Sequence, residues 1–131
     1  MFKILKNRKG VTLVELLAVV VILGIIAAIA VPTIGGLIAR QQANADTATY
    51  NAIVDAAELY GGTAVFTLDK LETDDFIDLK TNTFSFDGET PVAKTAVYIK
   101  ITGGVVGFYS DLAGTVAVDF YVNDTLVYEK P

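Results

Sequence analysis

Cysteine, histidine and tryptophan are all missing from these 131 residues. Without cysteine there is no disulfide framework and no thiolate nucleophile. Without histidine the commonest general base and the commonest metal ligand are gone. No glycine-rich phosphate loop occurs either. These absences point away from an enzyme, with no catalytic residue, no metal ligand set and no cofactor to name. Charge is absent from one long stretch: Leu16 to Ala39 holds 24 residues and no Asp, Glu, Lys or Arg. A run of about 20 apolar residues is enough to span the hydrocarbon core of a bilayer.

What is present is divided sharply along the chain. Hydrophobic residues make up 53% of the sequence, and their excess lies before residue 40. Lys3, Lys6, Arg8 and Lys9 precede Gly10; beyond it stand six basic and fifteen acidic residues, 6 − 15 = −9. The positive-inside rule places a basic N-terminus in the cytoplasm and the acidic remainder across the membrane. Nucleic acid binding is dominated by phosphate neutralisation, so an acidic domain is not expected to bind it directly.

Three readings of the apolar segment compete. A secretory signal peptide would have a basic n-region, an apolar run and cleavage after Ala28-Ile29-Ala30. However, Glu15 interrupts the junction and the run is long for an h-region. A plain signal anchor accounts for the length and for neither Glu15 nor Gly10. The third reading accounts for both. A carboxylate costs about 2.5–3.5 kcal/mol at the centre of a spanning helix and less toward its ends, so one inside such a segment marks a functional site.

The run Lys9-Gly10-Val11-Thr12-Leu13-Val14-Glu15-Leu16-Leu17 resembles the N-terminal signal of type IV pilins and pseudopilins. That resemblance covers about the first third of the chain and implies much that composition does not. Gly10 matches the glycine after which a prepilin peptidase cuts, leaving Val11 as the new, N-methylated terminus. Val11 departs from the family's usual phenylalanine. Glu15 matches the acidic assembly residue, and Pro32 falls where many pilins carry a helix-kinking proline; Gly24 opens the same weakened stretch. The implied partners are identical and related pilin subunits, the peptidase, a membrane platform protein and an assembly ATPase. The implied life history is a single-pass precursor in the cell membrane, then an extracellular filament. The alternative is an anchored or secreted binding module that uses its N-terminus only for export. Presence of Glu15 argues against the tip minor pseudopilin, and absence of cysteine against the disulfide-looped major pilins.

Physical chemistry gives Glu15 a role on this reading. After cleavage it lies four residues from a free α-amino group, whose ordinary pKa is about 7.7–8.0. A carboxylate of one chain and the amine of its neighbour neutralise each other, and two charges left apart in lipid are costly.

The expected architecture is α+β and pilin-like: a long N-terminal helix, half transmembrane, packed on a small antiparallel sheet. Its divisions are a cleaved leader (1–10), an apolar assembly helix (11–39), a soluble half-helix (40–61) and a sheet domain (62–131). Thr12 to Tyr60 as one helix would measure about 70–75 Å at 1.5 Å per residue. Tyr50, Ile53, Val54, Ala57 and Tyr60 recur at helical spacing, with Asp46, Asn51, Asp55 and Glu58 placed mostly on other faces. Gly61-Gly62 is the expected stop, and Pro32 the expected kink.

Beyond it, Thr67 is expected to cap a short helix to about Asp74. Alternation predicts strands at 83–87, 97–102, 105–109, 116–122 and 125–129. Gly103-Gly104 and Asn123-Asp124 serve as two-residue hairpin turns. Asp74, Asp75 and Asp78 read as a solvated acidic turn ahead of a calcium site. Asn123-Asp124-Thr125 matches a glycosylation acceptor, though the tight turn explains the same residues.

Overall fold

The structure, a computed structural model, describes residues 2–131, with side chains from Thr12 onward. The expectations for cleavage at Gly10–Val11 and methylation at Val11 therefore lie outside the residues whose side chains are described. The chain forms two compact units, Met1–Gln41 and Gln42–Pro131, and each is taken by itself.

The first unit is helical. Helix α1 runs from Phe2 to Tyr60, and its first 40 residues make up this unit. Ala, Leu, Val and Ile fill it, and the helical assignment continues through Pro32. Proline removes one backbone donor. At the next residue the Thr33 hydroxyl donates to the carbonyl of Ile29, one turn back, at 2.9 Å.

The second unit starts with the last turns of α1 and continues as β1 (Phe66–Thr67), α2 (Leu68–Thr73), β2 (Phe84–Ser85) and β3 (Pro91–Val92). A 3-10 turn at Lys94–Ala96 follows, then β4 (Tyr98–Thr102), β5 (Val105–Tyr109), β6 (Phe120–Val122) and β7 (Thr125–Tyr128). All pairings are antiparallel. The order is β1-β4-β5 in one sheet and β3-β2-β6-β7 in another.

Local chemistry explains the boundaries. Tyr60 ends α1 because Gly61 takes φ +65°, a left-handed conformation that costs glycine little, and its N–H donates back to Ala57. Thr67 caps α2 as expected, its hydroxyl accepting from Lys70 N at 3.3 Å. Gly103 and Gly104 both have positive φ, as do Asn123 and Asp124. Two left-handed residues in succession form the turn whose twist matches the flanking strands. Each joins an adjacent antiparallel pair, β4 to β5 and β6 to β7.

Three expectations are corrected. The single sheet is two, with an isolated bridge pairing Tyr109 of β5 with Ala117 in the segment before β6. The strand expected from Val116 starts at Phe120, and Val116 is exposed. The cause is Asp111, whose carboxylate accepts from the N–H groups of Thr115 and Val116 and from the Thr115 hydroxyl. That closes a tight loop and draws 116–118 along β5 before the chain reaches the second sheet. Finally, the strand expected at 83–87 shrinks to Phe84–Ser85, and Ser85 is buried. Its hydroxyl accepts from Gly88 N at 3.0 Å, so a turn begins where the alternation suggested more strand.

The core binds these pieces together. Ile53, Ala56 and Ala57 of α1 are buried with Leu68, Leu71, Ile99, Val106 and Val122. Phe120 lies stacked between Phe108 of the first sheet and Phe84 of the second, at centroid distances of 4.3 and 5.6 Å. Tyr50 reaches Phe108 and Tyr128, with centroids 5.9 and 6.4 Å away, so one aromatic column joins the helix and both sheets. Burial raises the phenol pKa of Tyr50 and of Tyr128.

Three carboxylates are held below their ordinary range: Asp111 by the Thr115 hydroxyl and Val116 N–H, Asp87 by the N–H groups of Thr90 and Glu89, and Glu72 by Lys94 and then Leu79 N–H. A depressed folded-state pKa gives stability that is complete above the ordinary carboxylate value and lost as pH falls through the folded value. The melting temperature of the second unit should therefore be flat near neutrality and fall below about pH 4. Asp111→Asn should flatten part of that fall. Thermal melts at pH 7, 4 and 3 check it; an unchanged melting point at pH 3 would count against these hydrogen bonds.

Candidate functional site

Function has two candidate locations, the apolar half of α1 and the polar cluster where the second unit begins. Among the described residues no group of three or more acidic side chains could hold a metal. The acidic turn is dispersed instead: Asp74 pairs with Lys70 at 3.0 Å and Asp78 with Lys80 at 3.9 Å.

Sixteen large apolar side chains between Leu13 and Ile38 are each 51–69% exposed. Leu, Val and Ile repeat on every side of the helix, so no turn of it could be buried against a single neighbour. Mean hydropathy reaches 3.0 over 18 residues, and among the described residues this is the one helix long and apolar enough to cross a membrane. Glu15 is exposed at its start, with Leu13, Val14, Leu16 and Leu17 around it. Pro32 and Gly24 sit within the helical run, and apart from the helix's own adjacent backbone no described atom lies within 4 Å of a Cβ placed at Gly24.

Residues 5–31 match the model of the prokaryotic N-terminal methylation motif. The chain carries the type IV pilin and pseudopilin signature. The match takes in Gly10, Val11 and Glu15 and runs to Val31, one residue short of Pro32. No solved structure matches the chain. The architecture is pilin-like in its own right, with a long N-terminal helix whose last turns pack on antiparallel sheets. With this signature, the exposed apolar helix fits an export and membrane-anchoring segment.

The polar cluster was missed by sequence reasoning. Asp46 was placed away from the packing face, yet it is 1% exposed. Its Oδ1 accepts from Gln42 Nε2 at 2.9 Å and from Asn123 Nδ2 at 2.8 Å, and its Oδ2 accepts from the Thr125 hydroxyl. Asn123 Nδ2 also donates to Asn82 Oδ1 at 2.9 Å, and its Oδ1 accepts from Thr83 N at 2.9 Å. The spacing did contain the signal. Asp46, Tyr50, Ile53 and Ala57 follow one another at four, three and four residues, one stripe of a helix.

The Asn123 amide is hydrogen-bonded on both sides within the fold, so Asn123 serves as a turn residue and a brace.

The brace ties the start of the second unit's helix to the β6–β7 turn and to the loop before β2. Asp46→Ala would strand the Thr125 hydroxyl and one donor of Asn123, whereas exposed Gln42 can turn to water. We expect a loss of about 2–3 kcal/mol from unpaired buried groups, or a melting point lower by roughly 10–20 °C for a domain of this size. The measurement uses a fragment beginning at Gln41, which should be soluble and monomeric with a mixed helix and sheet spectrum. An unfolded or almost wholly helical fragment contradicts the fold, and an Asp46→Ala melting point within 2–3 °C of the parent contradicts the brace.

Proposed function

We propose that this chain is a structural subunit, a pilin or major pseudopilin, that polymerises through α1 into a type IV pilus-like filament. The observation that carries the reading is one acidic residue, Glu15, inside the matched motif and at the start of a helix exposed on every side. A helix of that kind needs lipid or other helices around it. Lipid serves the precursor, held as a single-pass protein with its basic end in the cytoplasm. Other copies of the same helix serve the filament outside the cell.

The steps follow from the residues. A prepilin peptidase cuts between Gly10 and Val11, the new amine of Val11 is methylated, and Glu15 of an incoming subunit pairs with that amine on its neighbour. Pairing removes two unpaired charges from an apolar surrounding. Pro32 and Gly24 weaken the helix between the membrane end and the soluble end, giving a place for it to bend as subunits pack. The second unit is displayed on the outside. The subunit turns over no substrate; a membrane platform and a cytoplasmic ATPase supply the work.

Intact-mass measurement on protein from the native membrane tests the reading. A mature chain beginning at Val11 with a methylated amine is the expected result. A start at Val31 would favour a secreted module released by an ordinary signal peptidase, and an uncut Met1 would favour simple anchoring.

A further inference from the structure

Arg40 is the first charged residue after Glu15, and the next on the chain is Asp46. The uncharged helix between them, Leu16 to Ala39, is about 36 Å long at 1.5 Å per residue. The hydrocarbon core of a bilayer is about 30 Å. With Glu15 near one face, Arg40 therefore emerges at the other, on the side away from the basic leader. Its guanidinium is exposed and makes no ion pair among the described residues. The helix offers it no carboxylate, since the positions three and four residues away are Gly36, Leu37, Ala43 and Asn44. The oxygens of Asp46 are already taken by Gln42, Asn123 and Thr125. Beside Arg40 stands a further exposed donor, Gln41, next in sequence.

We infer that Arg40, with the amide of Gln41, binds the phosphate of a lipid headgroup in the leaflet opposite the basic leader. A guanidinium matches a phosphate with two parallel N–H···O bonds. The long aliphatic stem lets the charge reach the interface while its methylenes stay in the apolar layer. The contact fixes the depth at which the uncharged segment ends. The second unit, with five basic and fourteen acidic residues from Gln42 onward, has no attraction of its own for phosphate. The inference rests on the membrane-spanning part of the proposed function.

Composition makes the test clean. Arg8 and Arg40 are the only arginines, so in an Arg8→Lys chain arginine labelled with ¹³C at Cζ reports Arg40 alone. The full chain is inserted into phosphatidylcholine vesicles, and dipolar dephasing of Cζ by ³¹P is recorded by solid-state NMR. Strong dephasing is expected, corresponding to about 4–5 Å from guanidinium carbon to phosphorus for N–H···O bonds of 2.7–2.9 Å. A Gln41→Ala variant should weaken it. Absence of dephasing in inserted protein overturns the inference and leaves the spanning reading standing. Failure of the chain to insert overturns both. In digalactosyl diacylglycerol vesicles, which lack phosphorus, added millimolar inorganic phosphate should give no dephasing. Equal dephasing there would mean a free-phosphate site and would refute the headgroup assignment.

Discussion

Glu15→Gln will yield a cleaved, membrane-resident protein that stays out of filaments or enters them only beside wild-type subunits. The substitution keeps size and hydrogen-bonding capacity and removes the charge. The amine of Val11 on the neighbouring subunit would then enter an apolar surrounding without its counter-charge. Stranding one member of a buried pair costs about 3–5 kcal/mol, and the cost recurs with each subunit added. Since 1.4 kcal/mol is a factor of ten in an equilibrium constant, each addition step is weakened by roughly two to three orders of magnitude. Processing survives, because the scissile bond lies four residues upstream. Shearing cells and comparing filament and membrane fractions reads the result directly. Normal filament yield from Glu15→Gln alone would reduce Glu15 to a headgroup-level residue.

Gly10→Val should act one step earlier and more completely. Gly10 stands between Lys9 and the apolar run, at the residue the proposed cleavage follows. A β-branched side chain there adds bulk and stiffens the local backbone. Uncut precursor should accumulate in the membrane, heavier than the mature chain by the ten-residue leader, with no sheared filament at all. Immunoblotting of the membrane fraction with intact-mass confirmation distinguishes the two species. Trimming of the Gly10→Val chain to Val11 at the normal rate would refute the prepilin assignment itself. The two variants also separate from one another: Glu15→Gln is short and unassembled, Gly10→Val long and unassembled.

Legibility in the sequence followed the range of the forces involved. The apolar run, the glycine stop at Gly61, the Thr67 cap and the two tight turns depend on residues within a few positions of one another, and each could be read directly. The hairpin at Gly103-Gly104 was read to the residue, because two adjacent left-handed positions allow few other sequences. What could not be read was decided by groups far apart in the chain. Asp46 is 77 residues from Asn123 and 79 from Thr125, so its charge argued for solvent while its unseen partners waited near the C-terminal end. Val116 fits a strand by alternation, yet Asp111 gathers the neighbouring N–H groups and holds it in a loop. The division into two sheets has the same origin, since the stacking of Phe84, Phe120 and Phe108 across them is a tertiary event. For the candidate site the balance was reversed. Glu15 and Gly10 stood out from sequence because a lone carboxylate in a 24-residue neighbourhood without charge is conspicuous, whereas the brace around Asp46 gave no local sign beyond its helical spacing.

The apolar side chains exposed all round α1 have a thermodynamic consequence for traffic in both directions. Lipid tails are as apolar as leucine, so moving this helix from bilayer to filament changes its apolar surroundings without exposing them to water. The large hydrophobic free energy that forbids the helix from water is nearly the same in both places and cancels between them. What remains to set the direction is small and polar: an ion pair made, a headgroup contact released, some packing gained. On the proposed function, a balance this close would let a modest supply of work move a subunit from membrane to filament. The helix would then pass between two apolar surroundings at little cost, and the few charged atoms at its ends would set the direction.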